Sequence, residues 1–243
     1  LLITIERFAS LVDVHVGLIR YSVTAEQAAR ELDIELLASL NTAVGNYDLM
    51  HWETVAQDHQ DGLTWLKSIT RSSGVELTQT MSFVTTSRDF TREFSDSDIA
   101  PGIRLSGKLA PGASLTAEKY VVMYTSRDSQ DSLASALEVH EKMLSQGYDT
   151  QLIQHQEVWH SFWQDADILI EGDDTAQRAV RYNIYQLRVN AALHDPRYSI
   201  AAKGLTGFGY RGHIFHDTEI FMLPFFTYVL PDVARNLLIY RYY

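Results

Sequence analysis

The sequence predicts a multidomain chain in which β structure comes first and α structure follows: an antiparallel β-sandwich, a helical linker, then the opening of a helical domain. Short runs rich in β-branched and aromatic residues recur between turn residues as far as about Tyr124, with no helical pattern between them. Near Ser126 the apolar spacing lengthens from two residues to about three and a half. Beyond that point caps, stripes and stops follow in the order helices require. These signals divide the chain at residues 1–127, 128–166 and 167–243.

In the first region residues 15–23, 31–37, 75–85 and 118–124 read as strands. Leu32, Ile34 and Leu36 alternate with charged residues, the pattern of a half-buried strand. Val44-Gly45-Asn46-Tyr47, Ser73-Gly74 and Pro111-Gly112-Ala113 punctuate the runs. Many strands at even spacing with no helix between them favour an antiparallel sandwich.

In the linker, Ser132 is placed to cap a helix whose Leu133, Ala136, Leu137, Met143 and Leu144 share a stripe, and Gly147 is its stop. A second helix is expected over 150–164, with Leu152, Val158, Trp159, Phe162 and Trp163 on its apolar side. Trp159 and Trp163 are neighbours there, and core packing outweighs stacking on a sugar ring. After an alternating piece over 167–171, Asp174 reads as the N-cap of a third helix, with Gln177 near a capping-box position. The Asp173–Asp174 pair lacks a third metal ligand at helical spacing, so capping is the better reading. Ala176, Ala179, Val180, Asn183, Ile184, Leu187 and Ala191 mark one face down to His194, and Asp195-Pro196 ends the helix. An extended piece leads on to residue 200.

Residues 200–226 join two features that no other stretch combines. Gly204, Gly207, Gly209 and Gly212 permit positive φ and close backbone approach, while Lys203, Tyr210, Arg211, His213, His216, Asp217 and Glu219 crowd the same loop. Residues 220–230 then run apolar almost all round; too short to span a bilayer, they are expected as a buried helix. His213 and His216 are three apart, whereas helical zinc pairs sit four apart, so a metal is disfavoured. Asp217 and Glu219 invite an acid and base pair, but residues two apart face differently on a helix. A single carboxylate at a cavity mouth, Asp217, is the simpler reading, and capping of a helix starting at Thr218 is its alternative.

Composition narrows the partners. The 46% hydrophobic and 21% charged residues give an ordinary globular balance with enough apolar material for one large or two smaller cores. A formal charge of -11 argues against nucleic acid or an anionic membrane as a partner. The absence of cysteine removes disulfides, zinc-thiolate sites and cysteine nucleophiles. No signal-peptide pattern or transmembrane run is present, which fits a cytoplasmic protein. The chain starts at Leu1 rather than Met and stops at Tyr243 within an apolar helical run, so both ends read as cut.

AKGLTG at 202–207, GYRGH at 209–213 and DTEIFMLPFF at 217–226 resemble the approach to the catalytic barrel of glycoside hydrolase family 65, the family of maltose, trehalose, kojibiose and nigerose phosphorylases. ERFAS at 6–10, RYSVT at 20–24, EKY at 118–120, YTSRD at 124–128, GDD at 172–174 and RYNI at 181–184 extend the resemblance over essentially the whole chain. It implies the later part of an N-terminal sandwich, the helical linker and the first helices of an (α/α)6 barrel. It also implies that Asp217 and the aromatic position before it, here His216, contact the glucose ring, with Tyr210 and His213 completing the substrate-binding set.

The implied reaction is inverting phosphorolysis of an α-glucosyl disaccharide, with inorganic phosphate as co-substrate, no other cofactor and no metal, in a homodimer. The glutamic acid that protonates the glycosidic oxygen is expected downstream, so the chain carries no catalytic residue of its own. Two positions depart from the family pattern: His216 stands where Trp is usual, and Phe208 where Glu is usual. A family hydrolase acting on trehalose or another α-glucoside, and a non-catalytic carbohydrate-binding sandwich, are the alternatives.

Overall fold

Strand alternation builds the first part of the chain, and the computed structural model describes residues 1–46, 49–204 and 209–243. Within it the strands are β1 (Leu2–Ala9), β2 (Val16–Thr24), β3 (Leu32–Ser39), β4 (Gly45–Asn46), β5 (Leu49–Met50), β6 (Trp52–Gln60), β7 (Leu63–Thr70), β8 (Glu76–Thr85), β9 (Phe90–Ser95), β10 (Gly102–Leu109) and β11 (Ser114–Thr125). The helices are α1 (Ser132–Gln146), α2 (Tyr148–Ala166), α3 (Asp174–Asn190), α4 (Leu223–Val229) and α5 (Pro231–Tyr242). Two compact units result, Leu1–Val158 and Trp159–Tyr243, and the division falls inside α2.

The first unit is antiparallel throughout. One sheet runs β1-β2-β11-β8-β7-β6, a second runs β3-β10-β9, and β4 pairs with β5. All four strands foreseen in the sequence form, as β2, β3, β8 and β11. The hairpin of β6 and β7 had a legible signal too: Gln60 pairs with Leu63 across Asp61-Gly62, whose φ values of 51° and 80° suit a two-residue turn.

Side-chain alternation on β11 decides the layers. Ala117 and Val121 face the smaller sheet and pack with Leu66, Met81, Phe83, Ile103 and Leu105. Tyr120 and Val122 face the other way, into a second core with Val16, Leu18, Ala136, Met143 and Tyr148. The large sheet therefore lies between the small sheet and the layer of α1 and the start of α2. An apolar strand buried on both faces needs both covers, which is why the linker helices lie on the sheet.

The α1 contact is polar as well as apolar. Along one face of β8, Thr78 Oγ1 meets Ser132 Oγ at 2.7 Å, and Thr80 Oγ1 and Ser82 Oγ meet the two ring nitrogens of His140, each at 2.9 Å. Ala136 lies between Ser132 and His140 on the helix. Four helical residues rise about 6 Å and two strand residues about 6.7 Å, so steps of four on α1 track steps of two on β8. The cap is Asp131, whose side chain accepts from Ala134 N; Ser132 points inward to β8 instead. Leu144, expected in the apolar stripe, is exposed, and His140 holds the buried place.

Gly147 ends α1 as predicted, with φ 77° and its N–H donated to Met143 O. It is the sole residue between α1 and α2. Where α2 begins, Arg20 Nη2 bonds Glu118 Oε1 and Asp149 Oδ1, each at 2.7 Å, and its guanidinium lies 3.9 Å from the Tyr148 ring centroid. Tyr120 OH donates to Glu118 Oε2 at 2.8 Å. Several residues of the family-like runs thus pin a helix to a sheet.

In the second unit α3 is capped by Asp173, one residue before the predicted Asp174: its carboxylate accepts from Thr175 N and Ala176 N. Gln177 bonds Ile170 N and Ile168 O rather than closing a capping box. No strand forms over 167–171 or before residue 200, and α3 stops at Asn190 rather than His194. Ala179 and Asn183, expected on its apolar face, are exposed. Trp159 and Trp163 stack at 6.2 Å and pack with Phe162, Ala166 and Ile184, so this pair belongs to a core. Arg188, only 5% exposed, faces Trp159 and Phe162 at 5.8 and 5.5 Å.

The helix predicted as one buried piece over 220–230 is broken and partly exposed. Thr218–Met222 is a π-helical turn and α4 follows it. Pro224 explains the widening: its ring clashes with the carbonyl of Ile220 in α geometry, and it offers no N–H. Leu223 N therefore reaches Thr218 O, five residues back. Pro231 forces a second break, with Leu230 at φ -141° and ψ 73° before α5. Phe226 is buried with Ile200, Val233, Ala234 and Leu237, whereas Phe221 is 73% and Tyr228 89% exposed.

Candidate functional site

The loop from Ile200 is anchored at its start and strained in its middle. Ile200 and Ala201 are buried, and Gly204 at φ 62° lies so close to Asn190 Oδ1 that a Cβ would collide with it. Gly207 and Phe208 lie outside the described residues. Gly209 has no positive φ, and a Cβ there would meet only the flexible end of the Lys203 side chain, its Nζ at 2.9 Å, which can move aside. The left-handed conformation falls instead on Tyr210 and Arg211, with φ 63° and 51°, followed by Gly212 at 75°. Non-glycine residues rarely adopt it, and it costs about 1–2 kcal/mol each.

Contacts around the turn hold it there. His213 N donates to Tyr210 O at 2.9 Å. The Tyr210 ring meets Phe215 edge-on at 5.3 Å, with Lys203 Nζ 5.6 Å from its centroid. Tyr210 itself is 57% exposed, and His213, His216 and Asp217 are exposed.

At the start of the π turn the backbone is fixed by its neighbours. The Thr218 hydroxyl is buried and donates to Ile200 O at 2.8 Å, tying the turn to the root of the loop. The His216 carbonyl is shared by the N–H groups of Glu219 and Ile220, each at 3.1 Å. Asp217 has helical φ and ψ, and its side chain makes no cap hydrogen bond. Capping therefore does not occupy its carboxylate. His213, His216 and Asp217 make no side-chain hydrogen bond or ion pair among the described residues.

Glu219 is committed elsewhere. Arg241 Nε bonds its Oε1 at 2.9 Å, and this bond raises the pKa of Arg241. The expected difficulty with an Asp217–Glu219 acid and base pair is thus realised: one carboxylate is open to solvent and the other is ion-paired. Among the described residues no group of three or more His, Asp or Glu side chains is gathered to hold a metal. The arrangement offers a carboxylate and two imidazoles on an exposed, backbone-constrained turn, suited to accepting and donating hydrogen bonds to a polyhydroxylated ligand.

Sequence reasoning missed Arg241, which lies more than twenty residues from the loop. Its only signal was a basic residue in the last turn of α5.

Comparison with known proteins identifies the family. Residues 1–162 match the glycosyl hydrolase family 65 N-terminal domain, and residues 181–243 match the family's central catalytic domain. A kojibiose phosphorylase of Halothermothrix orenii is 33% identical over 98% of this chain and 32% of its own length. A kojibiose phosphorylase of Caldanaerobacter subterraneus subsp. tengcongensis is 50% identical over 51% of this chain and 16% of its own length. A nigerose phosphorylase of Lachnoclostridium phytofermentans is 29% identical over 97% of this chain and 34% of its own length. A solved human-microbiome protein, itself a candidate kojibiose phosphorylase, superposes with a TM-score of 0.87 at 24% identity, over 99% of this chain and 32% of that one. The chain spans about a third of the length of the full-coverage relatives. With two successive domain models matched in order, the first over residues 1–162 of 243, the chain belongs to glycoside hydrolase family 65.

Proposed function

We propose that this chain forms part of an inverting α-glucosyl disaccharide phosphorylase and supplies one wall of its glucose subsite, with Asp217 as the principal contact and His216, Tyr210 and His213 beside it. The observation that carries the reading is the exposed Asp217 carboxylate, left without a cap bond at the start of a π turn, within the region matched by the catalytic-domain model. Relatives named as kojibiose, nigerose and maltose phosphorylases support the reaction class and leave the disaccharide open.

In the proposed reaction a glutamic acid outside this chain protonates the glycosidic oxygen as the bond to the anomeric carbon breaks. A phosphate oxygen attacks that carbon from the opposite face, giving β-glucose 1-phosphate and the released sugar. Asp217 accepts hydrogen bonds from glucose hydroxyls, and such charge-assisted bonds are worth about 1.5–3 kcal/mol each. Inorganic phosphate is the co-substrate, and the reaction needs no other cofactor and no metal. We place the protein in the cytoplasm, which its lack of cysteine fits, and as a homodimer on the family resemblance; no helix among the described residues is long and apolar enough to cross a membrane.

The test is to incubate the intact protein with kojibiose, nigerose, maltose and trehalose, with and without inorganic phosphate. Glucose 1-phosphate formed only when phosphate is present is expected, and NMR should show it as the β anomer. Equal release of free glucose without phosphate would instead identify a hydrolase.

A further inference from the structure

We propose that Arg241 is a positioning residue that sets the direction of His216 and Asp217 by clamping the chain on both sides of them. The proposal rests on the reading of Asp217 as a sugar contact. Arg241 Nη2 donates to Phe215 O at 2.6 Å, one residue before His216. Its Nε donates to Glu219 Oε1 at 2.9 Å, two residues after Asp217. A guanidinium is planar and rigid, so two of its donors fix the separation and relative direction of the two acceptors.

The turn needs an external brace because its own bonds are weak or shared. Thr218 N reaches Phe215 O only at 3.4 Å, and the His216 carbonyl divides between two donors. A π turn closes a wider ring than an α turn and is uncommon beyond a single turn. Thr218 Oγ1 to Ile200 O fixes the inner side; Arg241, from the last turn of α5, fixes the outer side. Arg241 and Glu219 reach no sugar in this scheme. They hold the backbone from which Asp217 does.

The requirement is specific to arginine. Lysine keeps the charge and the ion pair with Glu219, but a single ammonium on a flexible stem does not hold a carbonyl and a carboxylate in one plane. Glu219→Gln keeps an acceptor and removes the charge.

The experiment is a double-mutant cycle in the intact protein with Arg241→Met, Arg241→Lys and Asp217→Ala, read as kcat/KM for phosphorolysis alongside the melting temperature. Arg241→Met is expected to lower kcat/KM at least tenfold and Arg241→Lys at least threefold. In the Asp217→Ala background Arg241→Met is expected to lower kcat/KM by no more than about threefold, the part that acts through His216. The amide resonances of His216 and Asp217 should move in Arg241→Lys while the melting temperature stays within 2 °C of the parent. Full multiplicative effects of Arg241→Met and Asp217→Ala would overturn the clamp, as would wild-type kcat/KM in both Arg241 variants with Asp217→Ala impaired. An inert Asp217→Ala would overturn the sugar-contact reading itself, and the clamp with it. Arg241→Lys carries the decision should Arg241→Met fail to fold.

Discussion

His140 is fully buried, an imidazole held between two hydroxyls on β8, and burial pushes its pKa down to about 4 from an ordinary 6.5. Its folded-state pKa is depressed, so it stays neutral while the unfolded chain takes up a proton below pH 6.5. Its stability contribution is complete above that value and is lost as pH falls toward 4. By linkage the loss between pH 7 and pH 5 is about 2 kcal/mol. His155, lowered by burial in the same direction, adds to the slope. Glu76, held below its ordinary carboxylate range chiefly by its hydrogen bond from Lys67, acts in a lower window. Urea denaturation at pH 7 and pH 5 should therefore show a difference that His140→Asn reduces by about 2 kcal/mol; an unchanged difference would place the titration elsewhere. The sequence hid this residue because a histidine in an otherwise apolar stripe gives no sign of whether the facing strand supplies hydroxyls. Thr80 and Ser82 supply them, from about sixty residues away.

At the scale of elements, local signals were legible wherever the cause was local. Gly147 announced the end of α1, and its φ 77° and ψ 163° lie in a region that only glycine adopts readily. Gly147→Ala should cost about 2 kcal/mol from backbone strain alone, since a Cβ there would have nothing within 4 Å. A melting temperature unchanged in Gly147→Ala would show that the helix joint is not fixed by that conformation. The caps at Asp131 and Asp173 were each displaced by one residue from the sequence expectation, because Ser, Asp and their neighbours compete for the same role and tertiary contacts decide between them. Ser132 went to β8. The run after Asp217 misled more deeply. Apolar residues all round suggested one buried helix, yet Pro224 breaks it within while Pro231 follows its expected end, and both prolines were visible in the sequence as causes of a break.

For the whole molecule, the order of a sandwich followed by helices was readable from the change in apolar period near Ser126, and the antiparallel sheets, the helices after them and the family match agree with it. Strand order was not readable. β2 lies beside β11, and β11 beside β8, through pairings between residues about a hundred and about forty apart that no local pattern encodes. The candidate site was half legible: the loop and Asp217 stood out by residue type, whereas the freedom of its carboxylate depended on the π turn and on Arg241 taking Glu219. The most direct test of Asp217 as the glucose contact is the phosphate-dependent release of glucose 1-phosphate by the intact protein, wild type against Asp217→Ala. With two charge-assisted hydrogen bonds removed, kcat/KM should fall by about a hundredfold or more while the fold is retained. A fall of less than twofold in a folded variant would contradict it.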